Sequence, residues 1–157
     1  MDNSNVPFYI NGAEFYSGPV VLAYCMDNYN VVQEPVTSFE MLKSRLEEIK
    51  QEAKEHIPIY FTVDIVVKDK GCLSVGLGEN ESIVVWYAAT DDLYLTSLGD
   101  ELATGTKLYY FGDWTELSDK HTISWETALL LMKTWIESGD IGNCINWTAY
   151  SSPTPGV

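Results

Sequence analysis

The segment IYFTVDIVVKDKGCLSVGLGENESIVVWY (residues 59–87) contains the pattern that decides the fold. Its alternating, β-branched stretches are typical of strands. The stretches KDKG and GENE between them are typical of tight turns. The three predicted strands are Ile59–Val67, Cys72–Leu77 and Ser82–Tyr87. Short strands joined in this way predict an antiparallel meander.

Further strands are predicted on both sides of this segment, where apolar runs again end at Gly, Asp or Ser. They are Val20–Tyr24, Leu93–Ser97, Lys107–Phe111, Trp114–Leu117 and Cys144–Trp147. We therefore expect a mostly antiparallel sheet of about six to eight strands.

Two helices are predicted from apolar residues that recur every three or four positions. The first follows a capping box at Thr37–Glu40 and stops before Pro58. The second has Ser124 as its N-cap and Gly139 in a left-handed position after its last turn. Two one-sided helices can cover one face of the sheet, which predicts an α+β fold. We expect a single domain over residues 1–150 and a disordered Ser/Pro/Gly tail over residues 151–157.

The charge of the chain restricts its partners. Its 157 residues include 23 Asp and Glu against 9 Lys and Arg, which gives a net charge of −14. Such a chain repels nucleic acid and anionic membranes, and it attracts basic protein surfaces. The N-terminus lacks the basic and apolar regions of a secretory signal, and no apolar run approaches the ~20 residues of a membrane span. We expect a cytoplasmic protein without a membrane or nucleic-acid partner.

The sequence contains no motif for catalysis, a cofactor or a metal. Cys25, Cys72 and Cys144 form no CxxC pair, and His56 and His121 belong to no metal-binding or catalytic pattern. We therefore predict no catalytic, cofactor-binding or metal-ligating residue and no enzymatic activity. A pair of carboxylates at the spacing used in glycoside hydrolysis stays open as an alternative.

Acidic and aromatic residues are concentrated between Gly71 and Asp119. That segment holds nine Asp and Glu residues and one basic residue, Lys107, for a net charge of −8. Carboxylates beside Tyr and Trp suit an interface with a basic partner, because charges steer the encounter and aromatic side chains provide buried anchors. The candidate partner-binding residues are Asp91, Asp92, Tyr94, Asp100, Glu101, Asp113, Trp114 and Glu116.

Several short motifs, taken in order, resemble immunity protein family one of bacterial polymorphic toxin systems. They are Cys72–Gly78, Ser82–Tyr87, Ser97–Gly99, Leu108–Leu117 and Ser138–Trp147. The resemblance covers roughly Ile59 to Trp147, and it departs from the family pattern at Asp113 and Thr115. Trp114 and Gly112 match family positions, so they are also candidates for a role in the fold.

The resemblance implies a protein that binds and neutralises a cognate toxin, in many members a nucleic-acid deaminase. Such toxins have a basic substrate channel, which an acidic protein could occlude. The implied partner is a basic protein toxin, in agreement with the charge of the chain. Two alternatives are an acidic nucleic-acid mimic that inhibits a nuclease, and a small hydrolase that uses paired carboxylates.

Overall fold

The computed structural model describes residues 8–10, 13–15, 19–25, 31–56, 60–89, 93–110 and 114–149. The helices are α1 (Phe39–His56) and α2 (Trp125–Ser138), with a short 3₁₀ helix at Asp119–His121. The strands are β1 (Phe8–Ile10), β2 (Ala13–Phe15), β3 (Val20–Cys25), β4 (Val31–Pro35), β5 (Tyr60–Val67), β6 (Gly71–Leu77), β7 (Glu81–Ser82), β8 (Val84–Ala88), β9 (Leu93–Leu98), β10 (Thr106–Tyr110), β11 (Trp114–Ser118), β12 (Ile123–Ser124) and β13 (Asn146–Ala149).

The main sheet has nine strands and branches at β5. Its path runs β11-β10-β5-β6-β8-β9-β13, and β3 attaches to β5 and carries β4. One edge of β5 pairs with β6 along its length. The other edge pairs in parallel with β10 at Tyr60 and Phe61, and antiparallel with β3 from Val63 to Val67. All other neighbours are antiparallel, which confirms the predicted α+β class with a larger sheet than expected.

Both helices pack on one face of the sheet and enclose the main core. Fully buried members of this core include Leu46 on α1, Val63 on β5 and Leu131 on α2. The indole of Trp135 on α2 is also fully buried, and its Nε1 donates to the Ile65 carbonyl at 2.9 Å. β5 has Phe61, Val63 and Ile65 on this face. The alternation predicted for the strand therefore determines which face of the sheet the helices cover.

The helix ends agree with the sequence analysis at α2 and differ at α1. In α2, the Ser124 side chain accepts from the Thr127 amide, and Gly139 has a φ of 70° with its amide donating to the Trp135 carbonyl. In α1, the prediction that Thr37 is the capping residue is wrong. The Ser38 hydroxyl accepts from the Met41 amide at 3.1 Å instead. The two adjacent hydroxyl residues offer the same chemistry, so the sequence does not separate them.

The strand prediction missed β4, and an ion pair holds that strand to α1. Arg45 donates through Nε and Nη2 to the Glu34 carboxylate at 2.8 and 3.0 Å, and through Nη2 to the Tyr24 hydroxyl at 2.6 Å. The Tyr24 hydroxyl in turn donates to Glu34 at 2.8 Å. The hydrogen bond from Arg45 lowers the pKa of Glu34, so the carboxylate stays ionised. Val31–Pro35 has no alternating pattern, so no strand was predicted there.

The last strand lies two residues later than predicted. It covers Asn146–Ala149 and pairs with β9, with Trp147 opposite Ser97. The Trp147 side chain packs against the main core, where its ring centroid lies 6.4 Å from that of Trp86. Residues 150–157, which include the predicted tail, lie outside the described ranges.

Two of the quoted motifs meet in the structure through a glycine. A Cβ atom at Gly76 on β6 would lie 2.2 Å from Cε1 of Tyr109 on β10, well inside van der Waals contact. Tyr109 is 1% exposed, so its ring has little freedom to move away. The glycine of the LSVGLG motif and the tyrosine of the LYYFG motif therefore form one packing unit.

Substituting Gly76→Ala should lower the free energy of unfolding by about 1–3 kcal/mol, because the added methyl group overpacks a filled site. Urea unfolding followed by tryptophan fluorescence measures this change. The control is the same substitution in a Tyr109→Leu background, where the smaller side chain leaves room and the loss should shrink. An equal loss in both backgrounds would contradict the proposed contact.

Candidate partner-binding surface

Carboxylates from four parts of the chain lie at the end of the main sheet where β9 ends and β10 begins. The Gly99 amide donates to the Lys120 carbonyl at 2.8 Å, and the Asp119 amide donates to the Gly105 carbonyl at 3.1 Å. These bonds hold the β9–β10 connection against the 3₁₀ helix. We call this surface the acidic edge; its acidic residues are Glu81, Asp100, Glu101, Glu116 and Asp119.

Lys107 forms ion pairs within the acidic edge. Its ammonium contacts the Asp119 carboxylate directly and lies 3.7 Å from Oε1 of Glu81. The hydrogen bond with Asp119 raises the pKa of Lys107, so the ammonium stays charged. The one basic residue of the Gly71–Asp119 segment is therefore bound to carboxylates of the fold. Lys120, in the 3₁₀ helix, is a further basic residue at this edge, and the carboxylates outnumber the two lysines.

The other three carboxylates of the acidic edge are exposed. Asp100 begins a turn: its Oδ1 accepts from the Leu102 amide at 3.0 Å, and its carbonyl accepts from the Ala103 amide at 3.0 Å. Glu116 on β11 accepts from the Thr106 hydroxyl at 2.6 Å. Within the described residues, no Lys, Arg or His forms an ion pair with Asp100, Glu101 or Glu116. Their negative charge faces solvent.

The structure brings together three of the eight predicted interface residues, Asp100, Glu101 and Glu116. Tyr94 lies at the opposite end of β9, half-buried, with its ring centroid 4.6 Å from that of Tyr87. Trp114 is the first residue of β11, opposite Tyr110 and away from the end of β11 that carries Ser118. Asp91, Asp92 and Asp113 lie outside the described residues.

Two groups that could support catalysis, His121 and Cys72, have structural partners. Nδ1 of His121 lies 2.9 Å from the Ser97 carbonyl, and the Ser97 hydroxyl donates back to the His121 carbonyl at 2.7 Å. Burial raises the pKa of the Cys72 thiol well above its ordinary value, which disfavours the nucleophilic thiolate. Among the described residues, no group of three or more His, Cys, Asp and Glu side chains is arranged to hold a metal ion. In the same ranges, neither helix is long and apolar enough to cross a membrane.

Asp64 is a half-buried carboxyl that the sequence analysis did not single out. It lies on β5, on the face opposite the helices, and it accepts a hydrogen bond of 2.5 Å from the hydroxyl of Ser74, its register partner on β6. Burial raises the pKa of Asp64 to about 6 from an ordinary 3.8. No Lys, Arg or His of the described residues pairs with it. The signal that could have revealed it was an acidic residue inside an alternating strand.

The chain matches the sequence model of a known protein family. A sequence model of the family described as Immunity protein Imm1 matches residues 32–149, which is more than half of the chain. The matched region begins in β4 and ends in β13, so it contains both helices and the whole acidic edge. Among the curated proteins, none matches the sequence.

Replacing Asp64 by Asn should stabilise the protein at neutral pH. Because the pKa of Asp64 is about 6 in the fold and 3.8 in the unfolded chain, ionisation favours unfolding. The cost grows as the pH rises from about 4 to 6 and then stays constant, at up to about 3 kcal/mol. The Asn side chain can still accept from Ser74.

Urea unfolding at pH 4 and pH 7.5 measures this effect. The Asn variant should exceed the wild type in unfolding free energy at pH 7.5, and the difference should nearly vanish at pH 4. A difference of the same size at both pH values would show that ionisation of Asp64 is not its source.

Proposed function

The chain belongs to the Imm1 family of immunity proteins, and from this premise we propose that it neutralises a nucleic-acid-acting toxin by covering the toxin's active site. Immunity proteins act by binding a cognate toxin. The proposal adds the kind of toxin, a basic enzyme of the deaminase type, and the surface of this chain that makes the contact. That surface is the acidic edge.

The observation that carries the proposal is the excess of exposed carboxylates at the acidic edge. An enzyme that acts on nucleic acid needs a basic channel for the phosphate backbone. Carboxylates held on strands and tight turns can pair with the Lys and Arg residues of that channel without first being ordered. The net charge of −14 adds a long-range attraction that speeds encounter.

The neutralisation needs no chemistry from this chain. A protein seated on the substrate channel excludes the nucleic acid by occupying the same volume and by adding negative charge. The structural roles of His121 and Ser97 support this non-enzymatic mode of action, since both are used to join the 3₁₀ helix to β9. Binding to the toxin is therefore sufficient for its inhibition.

The proposed function predicts rescue from toxicity. Expression of the toxin domain encoded by the adjacent gene should stop growth of a bacterial host, and co-expression of this chain should restore it. The two proteins should also co-purify as a stable complex, as expected for a tight inhibitor. Persistent growth arrest, with no complex by size-exclusion chromatography, would contradict the proposal.

Charge reversal at the acidic edge tests the surface. Glu101→Lys should lower the association rate with the toxin at least about threefold at low salt, and it should weaken the salt dependence of that rate. Stopped-flow or surface plasmon resonance measurements at several salt concentrations give both quantities. Glu101 is exposed, and among the described residues its side chain forms no hydrogen bond or ion pair, so the fold should be unaffected.

The matched control is Glu137→Lys, which makes the same charge change. Glu137 is exposed and lies twelve residues after Trp125 on α2, about 18 Å along the helix from the end that touches the β6–β7 turn. Its reversal should slow association much less than the Glu101 reversal. Equal effects of the two variants would show that only the total charge matters and would remove the acidic edge from the interface.

A further inference from the structure

The turn that joins β9 to β10 presents a large apolar side chain to solvent. Leu102 is 89% exposed, more than any other large hydrophobic residue described. Exposed leucines are common on protein surfaces and carry no meaning singly. Leu102 differs because it follows two exposed carboxylates of the acidic edge and because hydrogen bonds hold its backbone in place.

The backbone on both sides of Leu102 is fixed by hydrogen bonds. Asp100 closes the turn through its side chain and its carbonyl, which accept from the amides of Leu102 and Ala103. On either side, Gly99 and Gly105 are bonded to the 3₁₀ helix through Lys120 and Asp119. A side chain on such a turn can enter a partner's pocket without the entropic cost of ordering a loop.

The surroundings of Leu102 match the layout of a protein interface. Asp100 and Glu101 immediately precede it, and both are exposed. Six residues further along the chain, a second exposed apolar residue, Leu108 on β10, is 46% exposed and pairs with Glu116 of the acidic edge. Tight interfaces place an apolar anchor at the centre of a contact and charged groups at its rim, where water is excluded from the anchor.

We propose that Leu102 is the apolar anchor of the contact between this chain and its toxin, and that it inserts into an apolar pocket bordered by Lys or Arg side chains. The inference rests on the proposed function and deepens it by naming the residue and the kind of pocket. A pocket that accepts the flat, apolar face of a base inside a basic channel has this chemistry, since base-flipping enzymes hold the base between apolar side chains. The leucine side chain replaces the base, while the neighbouring carboxylates face the groups that bind phosphate.

The test measures the affinity of full-length variants for a catalytically inactive toxin domain encoded by the adjacent gene. Leu102→Gln should weaken binding at least about 30-fold, the effect of losing a hot-spot side chain, and most of the change should appear in the dissociation rate. Leu102→Met keeps an apolar side chain of similar size and should retain affinity within about threefold. Neither variant should change the melting temperature, because Leu102 is almost fully exposed.

The control is Leu130→Gln, because this leucine is 54% exposed and lies on α2, outside the acidic edge. It should bind like the wild type. Wild-type affinity for Leu102→Gln would overturn the role of Leu102 and leave the proposed function standing. A wild-type chain that does not bind the toxin at all would overturn both.

Discussion

Strand β5 is the element on which the rest of the structure depends, because it pairs with three strands and packs against both helices. One of its edges bonds to β6, and the other is divided between β10 and β3. Its inward face supplies Val63 and Ile65 to the main core, and its Ile65 carbonyl accepts the indole proton of Trp135. A strand with so many partners has one possible register, since a shift of one residue would exchange its two faces.

The register of β5 also fixes the acidic edge. Its parallel pairing with β10 sets where the β10–β11 hairpin stands, and the contact of Gly76 with Tyr109 locks β10 against β6. Lys107, on the same strand, then joins the 3₁₀ helix to β7 by binding Asp119 and Glu81. Lys107, the one basic residue of the Gly71–Asp119 segment, therefore stabilises the fold. The remaining exposed carboxylates form no ion pair within the described residues and are accessible to an external partner, in line with the function proposed for an Imm1 protein.

The sequence predicted the parts of the fold that have a local signal. The central strands show alternation, and α2 has a recognisable residue at each end, Ser124 and Gly139. Strand β4 gives no such signal, because it is held by pairing with β3 and by the bond from Arg45 to Glu34, both of which come from distant parts of the chain.

The candidate site was only partly predictable for the same reason. The excess of negative charge between Gly71 and Asp119 is visible in the sequence, but the ion pair between Lys107 and Asp119 is not. Tyr94 and Asp100 are only six residues apart in sequence, yet β9 is extended and places them about 20 Å apart. The central claim is that the acidic edge occupies the toxin's substrate channel. The most direct measurement is the affinity of this chain for inactive toxin at rising concentrations of the toxin's nucleic-acid substrate. We predict that the apparent Kd rises linearly with the nucleic-acid concentration, and an apparent Kd independent of that concentration would contradict the account.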